Sequence, residues 1–591
     1  MTNNAVRYNL GLADYVVFIS FMFVSVGIGL YYAIVDKIKS RKAPNAKNRA
    51  DHYLMGGRDL PIIPVALSVL TSFLSGITLL GSPAEIFEHG GLWIVKYITP
   101  PIALTISGFL FIPIFYHLKL VSVYEYIEIR YHSSILRKFC AIAFLVNNLI
   151  YMGVTIYSPA IALSGVTNLE MWKLILLVGA TSTIYTTMGG LKAVIWTDTI
   201  QAFLIYGGLG FVIVKGTMDV GGIGRVFEVF AVSGRLENTW KFDPNPAQYY
   251  NFWNAFFGGI ALWLSIYGLD QMSVQRYCSV KSVEHARKVV WMNIPLKFII
   301  SMMSCYVGLL VLAYFYNCNP LETGEINTLD QLTVLLAARV SENYPGLTGL
   351  FVAGIFAGSL SVVSGGYNSL AAVLFKDLIE PTVGNRLSPR MALWTNKTIV
   401  FVAGVLSTGL AYSAGPLGGI IKSSLGLLGA TNGPIVGLFL VGMFCRSAST
   451  KAVTISFLCT ITFSISMWIS AATENPYKGY ALPTNSSIEG CHGKSFNETV
   501  QPNYDPHYGR PGTSYLSRIS QLSYGFISQL IVVITAPILS LLLRPREEKY
   551  SSGRRHSLTL FGRPKNPKTK PESIDEKVEG FEDKRAETAG L

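Results

Sequence analysis

The chain has 591 residues, of which 50% are hydrophobic and only 14% charged, where a soluble domain carries about 25% charge. That composition excludes the soluble globular classes and points to a membrane protein. The net charge of +13 gathers in short loops and at the C-terminal end, which reads as an orientation signal rather than a nucleic-acid-binding face.

Taken in chain order, thirteen candidate spans appear: 15–35, 60–87, 93–116, 139–164, 171–188, 193–215, 252–269, 289–316, 346–375, 397–413, 418–445, 452–472 and 523–543. A bilayer crossing needs roughly 20 residues of helix. The first stretch, Tyr15 to Val35, is too long for a signal-peptide core and is expected to stay as an anchor. The loop behind it carries Lys37, Lys39, Arg41, Lys42, Lys47, Arg49 and Arg58 against a single Arg7 in front. This places the loop in the cytoplasm and residues 1–14 outside. Thirteen crossings then put the tail, 544–591, inside, and it is basic next to the membrane through Arg544, Arg546, Lys549, Arg554 and Arg555. Its Lys-, Glu-, Pro- and Ser-rich composition predicts disorder.

The same count places the 473–522 loop outside, where Asn485-Ser486-Ser487 and Asn497-Glu498-Thr499 form two glycosylation acceptors. Cys318 and Cys491 both fall in outside loops and are candidates for a disulfide, an arrangement suited to the oxidising side. Neither the seven cysteines nor the eight histidines form a zinc or haem spacing, so no cofactor is expected beyond an alkali ion.

Two spans are interrupted by helix-weakening residues. The stretch 60–87 holds Pro61, Pro64, Ser68, Thr71, Ser72, Ser75, Gly76 and Thr78, and 252–269 holds Gly258, Gly259 and Gly268. Small and hydroxyl residues also serve plain helix packing. Their matched places, second and seventh in the count, favour broken helices at a binding site of inverted repeats, because backbone freed from helical bonds is tolerated in lipid only where it lines a cavity.

Four motifs at the cytoplasmic edge extend this reading. They are His52-Tyr53-Leu54-Met55-Gly56-Gly57-Arg58; Tyr124-Glu125-Tyr126-Ile127-Glu128-Ile129-Arg130-Tyr131; Gly189-Gly190-Leu191-Lys192 running through Thr197-Asp198 to Gln201; and Asp270-Gln271 with Val274-Gln275-Arg276-Tyr277. Together they resemble the sodium:solute symporter family over roughly residues 10 to 545, in the branch of monocarboxylate, multivitamin and iodide carriers. The resemblance implies an all-α, LeuT-like core of inverted five-helix repeats, at about 60–215 and 252–445, with the first and last two spans peripheral. It also implies coupling to sodium and a place in the plasma membrane.

Aligned on Asn368-Ser369, the resemblance gives a sodium site from the carbonyls of Thr71, Leu74 and Gly358 and the hydroxyl of Ser361. A second hydroxyl is expected where this chain has Val362, and Ser364 is the nearest alternative donor. Ser361 and Ser364 could equally bond their own helix backbone. Asp198 is expected at the inner exit for sodium, or else paired with Lys192. Arg130 and Glu125 are expected as ion-pair partners of the cytoplasmic gate. For the solute, Ser75 and Thr78 of the broken helix and Tyr151 and Tyr157 of the fourth span are the candidates. Thr78 stands where an iodide carrier is expected to have glutamine, which favours an organic anion. No intramembrane cationic pocket is foreseen, since the positive ends of half-helices can hold a carboxylate.

The function expected is therefore sodium-coupled import of a small organic solute by alternating access, with a lipid bilayer as the other partner. A non-transporting sensor on the same fold, or a carrier of a neutral sugar or inositol, stays open. An intramembrane enzyme would need a catalytic pair within the spans, and none appears there.

Overall fold

The computed structural model describes residues 10–42, 49–167, 169–240, 242–383, 387–413, 420–477 and 508–543. The predicted glycosylation acceptors Asn485 and Asn497, Cys491 and the tail 544–591 lie outside the described residues. Among the described residues the only β pairing is an isolated parallel bridge between Leu60 and Val280. The helices that matter here are α1 (Leu12–Lys42), α2 (Ile62–Thr71), α3 (Ser82–His89), α4 (Leu92–Ile98), α5 (Ser134–Val166), α6 (Met171–Val220), α7 (Phe252–Leu264), α8 (Gln271–Tyr277), α9 (Val283–Tyr314), α10 (Leu347–Val373), α11 (Pro389–Ser413), α12 (Ile420–Phe444), α13 (Thr450–Glu474) and α14 (Tyr524–Leu542).

By length and apolar composition, ten described helical stretches can cross a membrane, so the count of thirteen is not reproduced by that measure. The differences have local causes. The second predicted span is divided into the short helices α2 and α3, joined by a wider-wound stretch, Ile77–Gly81. The fifth and sixth spans run together as α6, interrupted only at Gly190, whose φ of 57° and ψ of −157° are non-helical. A Cβ at Gly190 would lie 2.7 Å from the Tyr53 carbonyl oxygen. The break frees carbonyls on its N-terminal side, and the Tyr53 hydroxyl meets them, 3.0 Å from that of Thr186 and 3.3 Å from that of Thr187. The tenth span, α11, is a helix but falls outside the ten.

α10 is buried along nearly its whole length, as expected for a helix apolar on all faces, and its most extensive partner is α6. At the rim, 33% of the apolar window of α1, 39% of α13 and 28% of the stretch containing α14 are buried, against 83% for the stretch containing α10. The centre of the bundle is therefore α2, α6 and α10, with α12, α13 and α14 packed on one another to the side.

Both interrupted spans are broken. In α2 the Thr71 and Ser72 hydroxyls bond back to the carbonyls of Leu67 and Ser68, a competition with the helical ladder that bends helices. The helix restarts at Gly76, with the N–H groups of Thr78 and Leu79 bonded to the Ser75 carbonyl, and runs through the wider-wound stretch into α3. In the seventh span the break comes at Asp270, which is extended (φ −75°, ψ 139°) and caps α8 through its carboxylate and the Met272 N–H. Gly258 and Gly259 lie a few turns earlier and serve close packing: added Cβ atoms would lie 2.2 Å from the Leu522 carbonyl oxygen and 2.7 Å from Thr99 Oγ1.

Candidate functional site

Where α2 ends, its side chains meet α6 and α10 in one buried polar cluster. Ser361 on α10 donates to Asp198 Oδ1 at 2.7 Å and lies 2.9 Å from Thr71 Oγ1. Ser68, one turn before Thr71, donates to Asp198 Oδ2 at 2.5 Å. Arg276 of α8 donates to Ser68 Oγ at 2.8 Å and reaches Asp198 Oδ2 at 3.4 Å. The side chains of all five are buried. Four of these residues come from broken helices or from the helix facing them, so the break is what brings the oxygens together.

Of the backbone ligands foreseen, Leu74 and Gly358 meet: a Cβ at Gly358 would stand 2.3 Å from the Leu74 carbonyl oxygen, so only glycine allows this approach. Val362 is fully buried and supplies no oxygen. Ser364 donates to the Ser361 carbonyl of its own helix at 3.1 Å. Two pairings differ from expectation. Asp198 is paired with Arg276, while Lys192 lies 2.8 Å from His52 Nε2. Arg130 donates to the carbonyls of Gly442 and Cys445 at the C-terminal end of α12, a favourable place for a cation. Glu125 accepts from the Ser122 N–H, and the ion pairs of that edge run from Arg137 to Glu128 and Asp377.

The polar residues of α8 explain its motif. Gln271 bonds the Val121 carbonyl and the Val123 N–H, and Gln275 donates to the Leu54 carbonyl while accepting from Ser369. Arg276 completes the set, so this short helix ties Leu54 of the first cytoplasmic motif and the residues just before the second to α10 and to Asp198.

On the other side of the break, the hydroxyls of Ser75 and Ser158 are buried without a hydrogen-bond partner. Ser158 packs on Gly76, and Tyr151 stands beside Ser75. Tyr157, next to Ser158 in α5, is buried too, and its charged neighbour is Asp330. Thr78 is half-buried and neighbours Tyr97, which is 2.6 Å from Ser82 Oγ.

One expectation is overturned outright: the interior does hold cations. Lys96 and Lys297 are buried within the apolar stretches Leu92–Leu118 and Val283–Tyr314. The signal was present in the sequence, as two ionisable residues inside predicted spans.

The profile of the "Sodium:solute symporter family" matches residues 53–458. Sodium-coupled monocarboxylate transporter 1 of Homo sapiens is 36% identical over 489 residues, covering 82% of this chain and 78% of the relative. A putative sodium-dependent multivitamin transporter of Drosophila melanogaster is 33% identical over 542 residues, covering 90% of this chain and 86% of the relative. Among solved structures, a sodium-coupled sialic acid symporter in a substrate-bound outward-open state superposes with a TM-score of 0.73 at 24% identity, over 90% of this chain and 99% of that one.

Proposed function

The chain belongs to the sodium:solute symporter family, with a LeuT-like all-α fold and sodium as its coupling ion, and we propose that the solute it carries is a small organic anion of the monocarboxylate or vitamin type. Similarity to a sodium-coupled monocarboxylate transporter over most of both chains is the observation that carries this reading. The oxygens of Thr71, Leu74, Gly358 and Ser361 are the proposed sodium ligands, with Ser364 in reserve. Asp198 is the proposed exit carboxylate. Sodium is hard and weakly held, so it needs several convergent oxygens, which an unwound helix and facing hydroxyls provide. Ser75, Thr78 and Tyr151 are the proposed solute contacts, and Tyr157 is proposed to support the same wall. As a symporter, the protein moves its solute chemically unchanged and is not an enzyme.

Uptake of radiolabelled lactate, butyrate, biotin, pantothenate, iodide, glucose and inositol, with sodium present and then replaced, tests this directly. Carboxylate uptake that falls to background without sodium is the expected result. Transport of glucose or inositol with no carboxylate carried would refute the substrate class. Binding of any of these solutes without uptake would point to a sensor.

The same reading puts the protein in the plasma membrane with residues 1–14 and 473–522 outside and the tail 544–591 inside. Tags at residue 1 and within 473–522 should be reached by antibody on intact cells, and one at Leu591 should not. Replacing Asn485 and Asn497 by Gln should remove the glycan shift on a gel. Cys318 is disulfide-bonded and the other five described cysteines are free, which supports the proposed pairing with Cys491. Peptide mapping without reductant should recover the two in one cross-linked species.

A further inference from the structure

Lys96 and Lys297 are an unusual pair. Lys96 Nζ sits 3.9 Å above the Trp93 ring and 5.4 Å from that of Tyr97. Lys297 Nζ sits 4.5 Å from the Trp263 ring and 6.0 Å from the same Tyr97. The two ammoniums thus flank one tyrosine inside an aromatic box. Lys297 is 0% exposed, and its Nζ has no hydrogen-bond partner. Its charged or ionisable neighbours are Lys96 and the Cys305 thiol, with no carboxylate among them. The hydroxyls of Ser301, one turn further along α9, and of Tyr267, stacked on Trp263, are also buried and unsatisfied.

Aromatic faces attract an ammonium, but too weakly to offset the cost of burying a charge without a counter-ion. The nearest acid, Glu85, faces Lys96 and is already held by the Tyr250 hydroxyl and His89 Nδ1, each at 2.9 Å. Two ammoniums against one carboxylate leave a single positive charge uncompensated. The box is continuous with the proposed solute contacts, since the Tyr97 hydroxyl neighbours Thr78 of the broken helix. Trp263 fixes the geometry by donating to the Lys96 carbonyl at 3.1 Å.

We propose that Lys96 and Lys297 form an anion site that holds the carboxylate of the carried solute between them, and that the single net positive charge selects monoanions over neutral solutes and dianions. The proposal rests on the organic-anion reading given above. A carboxylate placed there supplies charge-assisted hydrogen bonds to Lys297, and its apolar end lies against the aromatic walls.

The test is equilibrium binding of radiolabelled butyrate to the purified full-length protein, run beside sodium-driven uptake. Lys297→Met and Lys96→Met keep the length of the side chain and remove its charge. Each is expected to weaken butyrate binding roughly ten- to a hundredfold, with the sodium-dependent rise in melting temperature retained. Lys297→Arg is expected to lose less. Unlabelled butyramide and succinate should compete poorly on the unmodified protein.

Butyrate binding absent from the unmodified protein, or unchanged in both methionine variants, overturns the site. Should neither variant fold, butyramide competing as well as butyrate overturns it instead. Lysine-dependent binding without sodium-driven uptake would uphold the site and defeat the transport reading. Uptake of butyrate that neither substitution disturbs would do the reverse.

Discussion

Asp198→Ala is expected to abolish sodium-driven uptake and to lower the melting temperature of the purified protein sharply. The carboxylate accepts from Ser68 and Ser361 and is the ion-pair partner of Arg276, with every one of these side chains buried. Removing it strands the Arg276 guanidinium, and breaking a buried pair from one side costs about 3–5 kcal/mol. A second substitution separates the two losses. Asp198→Ala with Arg276→Met removes both charges and should recover much of the stability, since a buried pair is often replaced by apolar groups at little cost. Uptake should stay lost, because the proposed exit carboxylate is still missing. Melting curves and sodium titrations of the single and double variants make the comparison. A single variant that melts like the unmodified protein would show that the pair does not hold this region together.

Ser361→Ala is expected to raise the sodium concentration needed for half-maximal uptake roughly ten- to a hundredfold, from a loss of about 1.5–3 kcal/mol. Its hydroxyl stands between Thr71 Oγ1 and Asp198 Oδ1, where an ion would need it. Ser364→Ala tests the reserve ligand: its hydroxyl bonds the carbonyl of Ser361, so its removal should move the sodium dependence less than Ser361→Ala does. Val362→Thr should tighten sodium, since it adds an oxygen at nearly constant volume. A threonine hydroxyl in a helix bonds the carbonyl four residues back, here that of Gly358, which delivers the new oxygen beside Leu74. Sodium dependence unaltered in a Ser361→Ala protein that reaches the surface would remove this site from the coupling mechanism.

The broken helices were legible because their causes are local. The hydroxyls of Thr71 and Ser72, which bond their own backbone, and Pro61 at the head of α2 all act within a few residues. Asp198 was legible as an ionisable residue inside a span, but Ser361 and Gly358 only through family resemblance, and nothing in the 163 residues between Asp198 and Ser361 announces that they touch. Arg276 shows the limit from the other side. Its motif was visible, but its partner depends on how α8 folds back after Asp270. The same holds for Lys96 and Lys297, whose presence within apolar spans could be read directly, while their convergence on Tyr97 is a product of three-dimensional packing. The thirteen-span count separates 171–188 from 193–215, on either side of the bend at Gly190, although the helix is continuous in its hydrogen bonding across that residue.

That bend has a consequence for sidedness. A straight helix of the 50 residues in α6 would be about 75 Å long at 1.5 Å per residue, more than twice the roughly 30 Å of hydrocarbon it must traverse. The reversal at Gly190 turns one over-long rod into two passages of ordinary length, running in opposite senses. It therefore changes the parity of the whole chain: every residue after 190 meets the aqueous compartment opposite to the one it would meet if the rod crossed once. The backbone angle of a single glycine, with a tyrosine hydroxyl satisfying the carbonyls it exposes, thus decides which face of the membrane each later loop looks onto.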